Sequence, residues 1–248
     1  MIDTLWLIGI GTGSPGHITL EGRQALREAT VILLPRKGPG KDDLAHLRLD
    51  LVQAAGATAQ IVPFDMPVRD ESLPYQPRVA LWHDQIADAW QAALTGVDVN
   101  GPVALLVWGD PGLYDSTLRI ADRLEPRPTI RVVPGITALQ ALTAAHAIPF
   151  NTIDGTVCVT TGQQLRTAGM PQNTETVLVM LDGKCSFMGL TEPDLHIWWG
   201  AFLGMPQQIL TAGPLSSVGP HIVTRRAQAR ATHGWIMDTY LLRRGTVQ

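Results

Sequence analysis

The chain has 248 residues, of which 45% are hydrophobic and 17% are charged, and its formal net charge is −3. This size allows a substantial core in one large or two small domains, and the charge gives no overall attraction to nucleic acid or to a membrane surface. Two cysteines are too few for a disulfide scaffold or a structural zinc site. Neither a transmembrane span nor a signal-peptide pattern is present, so we expect a globular, cytoplasmic protein.

Strands and helices alternate over the first part of the chain. Strands are predicted at 4–10, 30–34, 58–64, 103–108 and 129–133. Helices are predicted at 20–29, 42–54, 77–95, 116–124 and 136–147, with Thr19 capping the first of them. Such alternation predicts an α/β fold with a mostly parallel, doubly wound sheet.

The pattern changes near residue 150. Strand-like runs follow at 156–161, 176–181, 195–203, 220–229 and 235–242, and the clearest helical segment is 205–212. We therefore predict two α/β domains: a doubly wound domain at 1–149 and an α+β domain with a mixed sheet at 150–248. A cleft between them is the expected ligand site.

The most informative segment is 104–116, where an apolar run stops at the sequence Gly-Asp-Pro-Gly. The run indicates a buried strand, and the break marks its carboxyl end, where ligands bind in open α/β sheets. Asp110 places an acceptor there, and Gly109 allows a ligand to approach the backbone. The alternative is a sharp loop in which Asp110 caps the next helix.

Residues 11–16 match the dinucleotide fingerprint G-x-G-x-x-G between a strand and a helix. An NADP-dependent oxidoreductase is therefore an alternative, since Arg36 at the end of the second strand suits a 2′-phosphate. Pro15 weakens this interpretation, because it stands where the helix would begin against the pyrophosphate. No acid that could bind the ribose follows the second strand.

A third glycine turn, 132–138, lies between a strand and a helix whose free N–H groups can hold a ligand. The three turns together resemble those of the tetrapyrrole methylases, the precorrin and uroporphyrinogen methyltransferases. The family patterns are G-x-G-x-G-D-P-x-x-L-T, G-D-P-x-x-Y, V-P-G-I/V-S/T-A/S, a following Ile-Pro, a cofactor-side strand and a G-T-P segment. The segments that match are 9–19, 109–114, 133–138, 148–149, 177–181 and 204–215.

Two positions depart from the family pattern. Ser14 stands where the family usually has Asp, so a role for that acid does not carry over. Trp108 stands before Gly109 where many relatives have Gly, which makes the wall of the expected pocket bulkier.

The resemblance implies a two-domain tetrapyrrole methylase fold, S-adenosylmethionine as methyl donor, a precorrin substrate and a homodimer. It assigns the following residues to the cofactor: Gly109, Asp110, Leu113, Thr137, Ala138, Met180, Leu181, Leu203 and Thr12. Segments 37–44, 180–185, 198–204 and 233–240 resemble one branch of the family, a C-methyltransferase of cobalamin biosynthesis that releases an acyl group as acetate. The alternatives are another methyltransferase of the family and a non-catalytic tetrapyrrole-binding module.

The substrate of such an enzyme carries several carboxylates and is expected to seek cations. Candidate substrate-binding residues are Arg36, Lys37, Lys41 and Lys184. Candidate catalytic residues for acyl release are Asp182 and Asp110 as bases and Tyr114 as a hydrogen-bond donor. We expect no metal.

Overall fold

The computed structural model describes residues 2–36 and 43–245. Its internal contacts divide the chain into two units, Met1–Thr137 and Ala138–Gln248. This division places the segment 138–146 in the second unit, whereas the boundary expected at residue 149 places it in the first. Each unit is built on one sheet.

The first unit contains a parallel sheet, and its strands are, within the described residues, β1 (Thr4–Gly9), β2 (Val31–Arg36), β3 (Gln60–Asp65), β4 (Val103–Val107) and β5 (Thr129–Val133). The spatial order is β3-β2-β4-β1-β5. Because all strands run in the same direction, the carboxyl ends of β4, β1 and β5 are neighbours. This edge of the sheet is called the carboxyl edge below.

Helices cover both faces of this sheet. They are α1 (Leu20–Glu28), α2 (Asp43–Ala55), α3 (Tyr75–Ala93) and α4 (Thr117–Ala121). Successive residues of β1 point to opposite faces: Leu7 joins a core with Trp90 of α3, and Ile8 joins a second core with Leu26 of α1. The expected cap is present, since the Thr19 hydroxyl accepts from the Gly22 N–H at 3.0 Å. The predicted doubly wound α/β architecture is confirmed.

The second unit contains a mixed sheet. Its elements are α5 (Ala138–His146), β6 (Val157–Thr161), α6 (Gly162–Ala168), β7 (Thr176–Met180), β8 (Leu195–Ala201), β9 (Ile209–Pro214), α7 (Leu215–His233) and β10 (Asp238–Arg244). The strand order is β6-β7-β10-β8-β9. Only β6 and β7 pair in parallel in the described part of this unit; the other pairs are antiparallel.

Two element predictions in this unit are wrong. The segment 220–229, expected as a strand, lies inside α7. Alanine, glutamine and arginine dominate its second half and favour helix, and Gly234 ends the helix with a φ of 71°. The segment 205–212, expected as a helix, instead leads into β9, which pairs with β8 over six positions. The ladder to β8 outweighs the local helical signal of the glutamines at 207 and 208.

Candidate functional site

Three loops touch backbone to backbone at the carboxyl edge. A Cβ on Gly135 would lie 2.1 Å from the Gly109 oxygen, and a Cβ on Gly9 would lie 2.6 Å from the Gly135 nitrogen. Gly109 is also paired with Gly11, whose oxygen accepts from the Gly109 N–H at 2.8 Å. Gly9 and Gly135 are therefore required by the contact between loops, and Gly109 by its φ of 67°.

Asp110 fastens two of these loops together. Its Oδ1 accepts from the Gly112 N–H at 2.7 Å, and its Oδ2 accepts from the Gly135 N–H at 3.0 Å. The helix that follows begins at Thr117 with Ser116 as its N-cap, and the Thr117 N–H donates to Asp115 Oδ1 at 2.6 Å. The alternative in which Asp110 caps that helix is therefore wrong. This bonding favours a positioning role over proton transfer.

The loop 11–16 does not have the geometry of a dinucleotide fingerprint. Ser14 caps a short 3₁₀ turn by accepting from the Gly16 N–H at 3.2 Å, and α1 begins only at Leu20. The glycines therefore do not open directly into the helix, as pyrophosphate binding requires. A serine can cap such a turn as an aspartate would, so the departure at Ser14 preserves the local structure.

Thr12 lies buried beside this turn. Its hydroxyl is 2.7 Å from His17 Nδ1, and burial lowers the pKa of His17, so the imidazole is neutral near pH 7. Thr137 is also buried, while Leu113 is partly exposed and Tyr114 is 44% exposed with a φ of 50°. Left-handed backbone at a non-glycine residue is uncommon and is often found at ligand sites.

Trp108, directly after β4, is in contact with an arginine that no pattern in the sequence singles out. The Arg48 guanidinium of α2 lies over the indole at 4.8 Å from the ring centroid. It donates to the backbone oxygens of Leu44 and Leu106 at 3.3 and 3.5 Å. Burial lowers the pKa of Arg48 to about 10, and the nearby Asp115 opposes this shift. An isolated arginine within a helical segment has no sequence signal that separates it from a surface charge.

Two of the four basic residues expected to bind the substrate lie within the described residues. Arg36 ends β2 and pairs with Asp65 at 3.2 Å, with half of its side chain exposed. Lys37 and Lys41 lie outside the described residues. Lys184 is exposed in the second unit.

In the second unit, Asp182 follows β7 and is 6% exposed. Its carboxylate accepts from the Tyr240 hydroxyl at 2.6 Å, the Ser186 N–H at 2.6 Å, the Ser186 hydroxyl at 2.8 Å and the Lys184 N–H at 3.1 Å. Burial alone would raise the pKa of Asp182, but these hydrogen bonds outweigh it and leave the pKa below its usual value. Such a carboxylate is a weak base.

The turn held by Asp182 presents Leu181 outward. Leu181 is 68% exposed and has a φ of 54°, an unusual state for an apolar side chain. Met180 and Ala138 are partly exposed. Leu203 is 4% exposed, and a Cβ on Gly200 would lie 2.6 Å from its Cδ2, so its side chain belongs to the core.

Two arginines of α7 make contacts that stabilise the second unit. Arg226 makes a bidentate ion pair with Asp238, and Arg225 donates to the Leu210 oxygen at 2.9 Å. Both residues lie within the segment 220–229, which was expected as a strand and is helical.

Among the described residues, no group of three or more His, Cys, Asp or Glu side chains could hold a metal ion. No helix in the described part of the chain is long and apolar enough to cross a membrane.

Comparison with known proteins gives a family. The family model for tetrapyrrole (corrin/porphyrin) methylases matches residues 4–219. A protein of Sinorhizobium sp named precorrin-6A synthase (deacetylating) is 42% identical over 247 residues, covering 96% of this chain and 94% of that protein.

Solved structures agree. The cobalamin synthesis related protein CobF from Corynebacterium diphtheriae superposes with a TM-score of 0.82 at 38% identity, covering 98% of this chain and 99% of that one. A uroporphyrin-III C-methyl transferase from Thermus thermophilus, complexed with S-adenyl homocysteine, shares the fold with a TM-score of 0.62 at 17% identity, covering 96% and 91%.

Proposed function

The chain belongs to the tetrapyrrole methylase family, and on that premise we propose that it is a precorrin-6A synthase (deacetylating), a C-methyltransferase of cobalamin biosynthesis. The reaction methylates precorrin-5 at carbon 1, releases the earlier acyl group as acetate and yields precorrin-6A. The similarity to the Sinorhizobium protein over nearly all of both chains carries this proposal.

The residues assigned to S-adenosylmethionine suit its chemistry. The cofactor supplies an electrophilic methyl group on a sulfonium. Leu181, Met180, Ala138 and Leu113 offer apolar side chains that are at least partly exposed, which suits a nucleoside and its thioether chain. For Gly109, Thr137, Thr12 and the buried Leu203, we propose contacts made mainly by backbone groups.

We propose that Asp110 and Asp182 position these contacts. Asp110 holds the Gly109–Leu113 loop against Gly135, and Asp182 holds the turn that presents Leu181. Methyl transfer to carbon depends on an in-line approach and on exclusion of water more than on proton transfer. Fixed loops supply the first of these requirements.

Tyr114 keeps its proposed role as a hydrogen-bond donor to the substrate, because its ring is 44% exposed on the loop that follows Asp110. Arg36 and Lys184 are proposed carboxylate ligands, and each is exposed enough to exchange partners. The pair of Arg36 with Asp65 is an exposed one, and such pairs are worth little. A homodimer in the cytoplasm remains part of the proposal, as the family resemblance implies.

The test is to incubate the purified protein with precorrin-5 and methyl-labelled S-adenosylmethionine and to follow the products by mass spectrometry. We expect a labelled precorrin-6A and one acetate per methyl transferred. Transfer to another precorrin but not to precorrin-5 would leave only the family assignment. Binding of a corrinoid without any transfer would indicate a binding module.

A further inference from the structure

Arg48 and Trp108 form a donor pair at the carboxyl end of β4, separate from the residues assigned above. The guanidinium lies over the indole at 4.8 Å, and its two hydrogen bonds, at 3.3 and 3.5 Å, reach neutral backbone oxygens. Both bonds are long for contacts made by a charged donor, which prefers about 2.7–2.9 Å to a carboxylate. The cation is therefore held in place without being fully satisfied.

The charge of Arg48 is also poorly balanced. No carboxylate of the described residues lies within ion-pair distance of it, and only Asp115 acts on it at longer range. Burial lowers the pKa of Arg48 to about 10, so the side chain remains protonated at neutral pH. A partly buried cation in this state gains from an incoming anion.

Trp108 provides a second, independent observation. Its indole Nε1 is buried and has no hydrogen-bond partner in the described residues. A buried donor without a partner costs about 1–3 kcal/mol. The charged donor Arg48 and the neutral indole N–H of Trp108 thus both lack a strong hydrogen-bond partner in the described residues. They lie at the edge where ligands bind in open α/β sheets.

We propose that Arg48, held on the Trp108 ring, binds one carboxylate of the polycarboxylate tetrapyrrole substrate, and that the indole N–H donates to the same ligand. This inference rests on the proposed function. It also gives the bulky residue before Gly109 a purpose, since a glycine there could not hold the guanidinium by stacking.

The experiment titrates uroporphyrin III, a stable polycarboxylate tetrapyrrole, against wild type, Arg48→Met, Arg48→Lys and Trp108→Phe, with fluorescence as the readout. S-adenosylhomocysteine binding is measured on each protein by calorimetry. Arg48→Met should weaken uroporphyrin binding about tenfold or more, because a buried charged contact is lost. Arg48→Lys should fall between it and wild type, because a lysine keeps the charge but not the planar fork. S-adenosylhomocysteine affinity should stay within about twofold for both Arg48 variants, because Arg48 is not among the residues proposed to bind the cofactor.

Arg127→Met is the matched control, because Arg127 is an exposed arginine of the same unit, paired with Asp122. The inference is overturned if this control loses as much affinity as Arg48→Met, if Arg48→Met binds as wild type does, or if wild type does not bind uroporphyrin III. If Arg48→Met does not fold, Trp108→Phe decides, since it removes a donor that has no described partner. Unchanged binding by that variant then overturns the inference. Failure of methyl transfer to precorrin-5 would refute the proposed function alone.

Discussion

Asp182 accepts hydrogen bonds from four donors, and its carboxylate thereby stabilises the turn that follows β7. The phenol of Tyr240 reaches it from β10, and both hydrogen-bonding groups of Ser186 reach it from the short helix that follows. Burial and the hydrogen bond to Asp182 raise the pKa of Tyr240 above its usual value, so the phenol stays a donor. The carboxylate thereby links two strands and one turn.

We predict that Asp182→Asn destabilises the protein by about 2–3 kcal/mol at pH 7, because the amide cannot accept from all these buried donors. Urea unfolding measures this change. The exposed Asp194→Asn is the control in the same unit and should change stability by less than about 0.5 kcal/mol.

The difference in stability between wild type and Asp182→Asn should depend on pH. The pKa of Asp182 is lower in the folded chain than its unfolded value of about 3.9. Its contribution to stability is therefore complete above that value and is lost as the pH falls through the folded pKa. The difference between wild type and Asp182→Asn should be constant from about pH 5 to 8 and shrink below about pH 4. A normal stability with complete loss of methyl transfer would instead indicate a catalytic base.

At the scale of elements, α7 is tied to the sheet by one buried ion pair. The Arg226 and Asp238 side chains are 11% and 8% exposed, and the Trp199 indole also donates to Asp238 at 3.0 Å. The pair joins the helix to β10 and β8. Removing the Arg226 side chain would leave Asp238 as a buried carboxylate whose remaining side-chain partner in the described residues is the Trp199 indole.

Arg226→Met should therefore destabilise the protein by about 3–5 kcal/mol. Arg230→Met, on the same helix but exposed, should change it by less than about 0.5 kcal/mol. Chemical denaturation of both variants checks this contrast. Equal effects would mean that the buried pair contributes no more than a surface charge.

The elements also show where sequence patterns are sufficient. Apolar runs such as 103–107 predict buried strands well, because a parallel sheet covered on both faces needs them. The strand prediction for 220–229 is wrong, because the three β-branched residues at 222–224 favour a strand only locally and lie within a longer helix. The glycine turns locate the carboxyl edge, but Arg48 meets Trp108 only through tertiary packing, which no local pattern encodes.

At the scale of the whole molecule, ligand binding should increase the free energy of unfolding. S-adenosylhomocysteine at about one hundred times its dissociation constant should add about 2.7 kcal/mol and raise Tm by about 5–10 °C. NADP should leave Tm unchanged. Hydrogen exchange should slow at both 109–114 and 180–184, because each segment contains residues proposed to bind the cofactor. Protection of only one segment would contradict that assignment.

The order of strands in space has a consequence for synthesis on the ribosome. β1 lies between β4 and β5, and β10 lies between β7 and β8. The first strand to be translated cannot complete its pairing until residue 133 has emerged, and β7 and β8 remain apart until residues 238–244 arrive. Unpaired strand edges on a nascent chain invite aggregation. The nascent chain therefore has unpaired strand edges until each of these later strands has been synthesised.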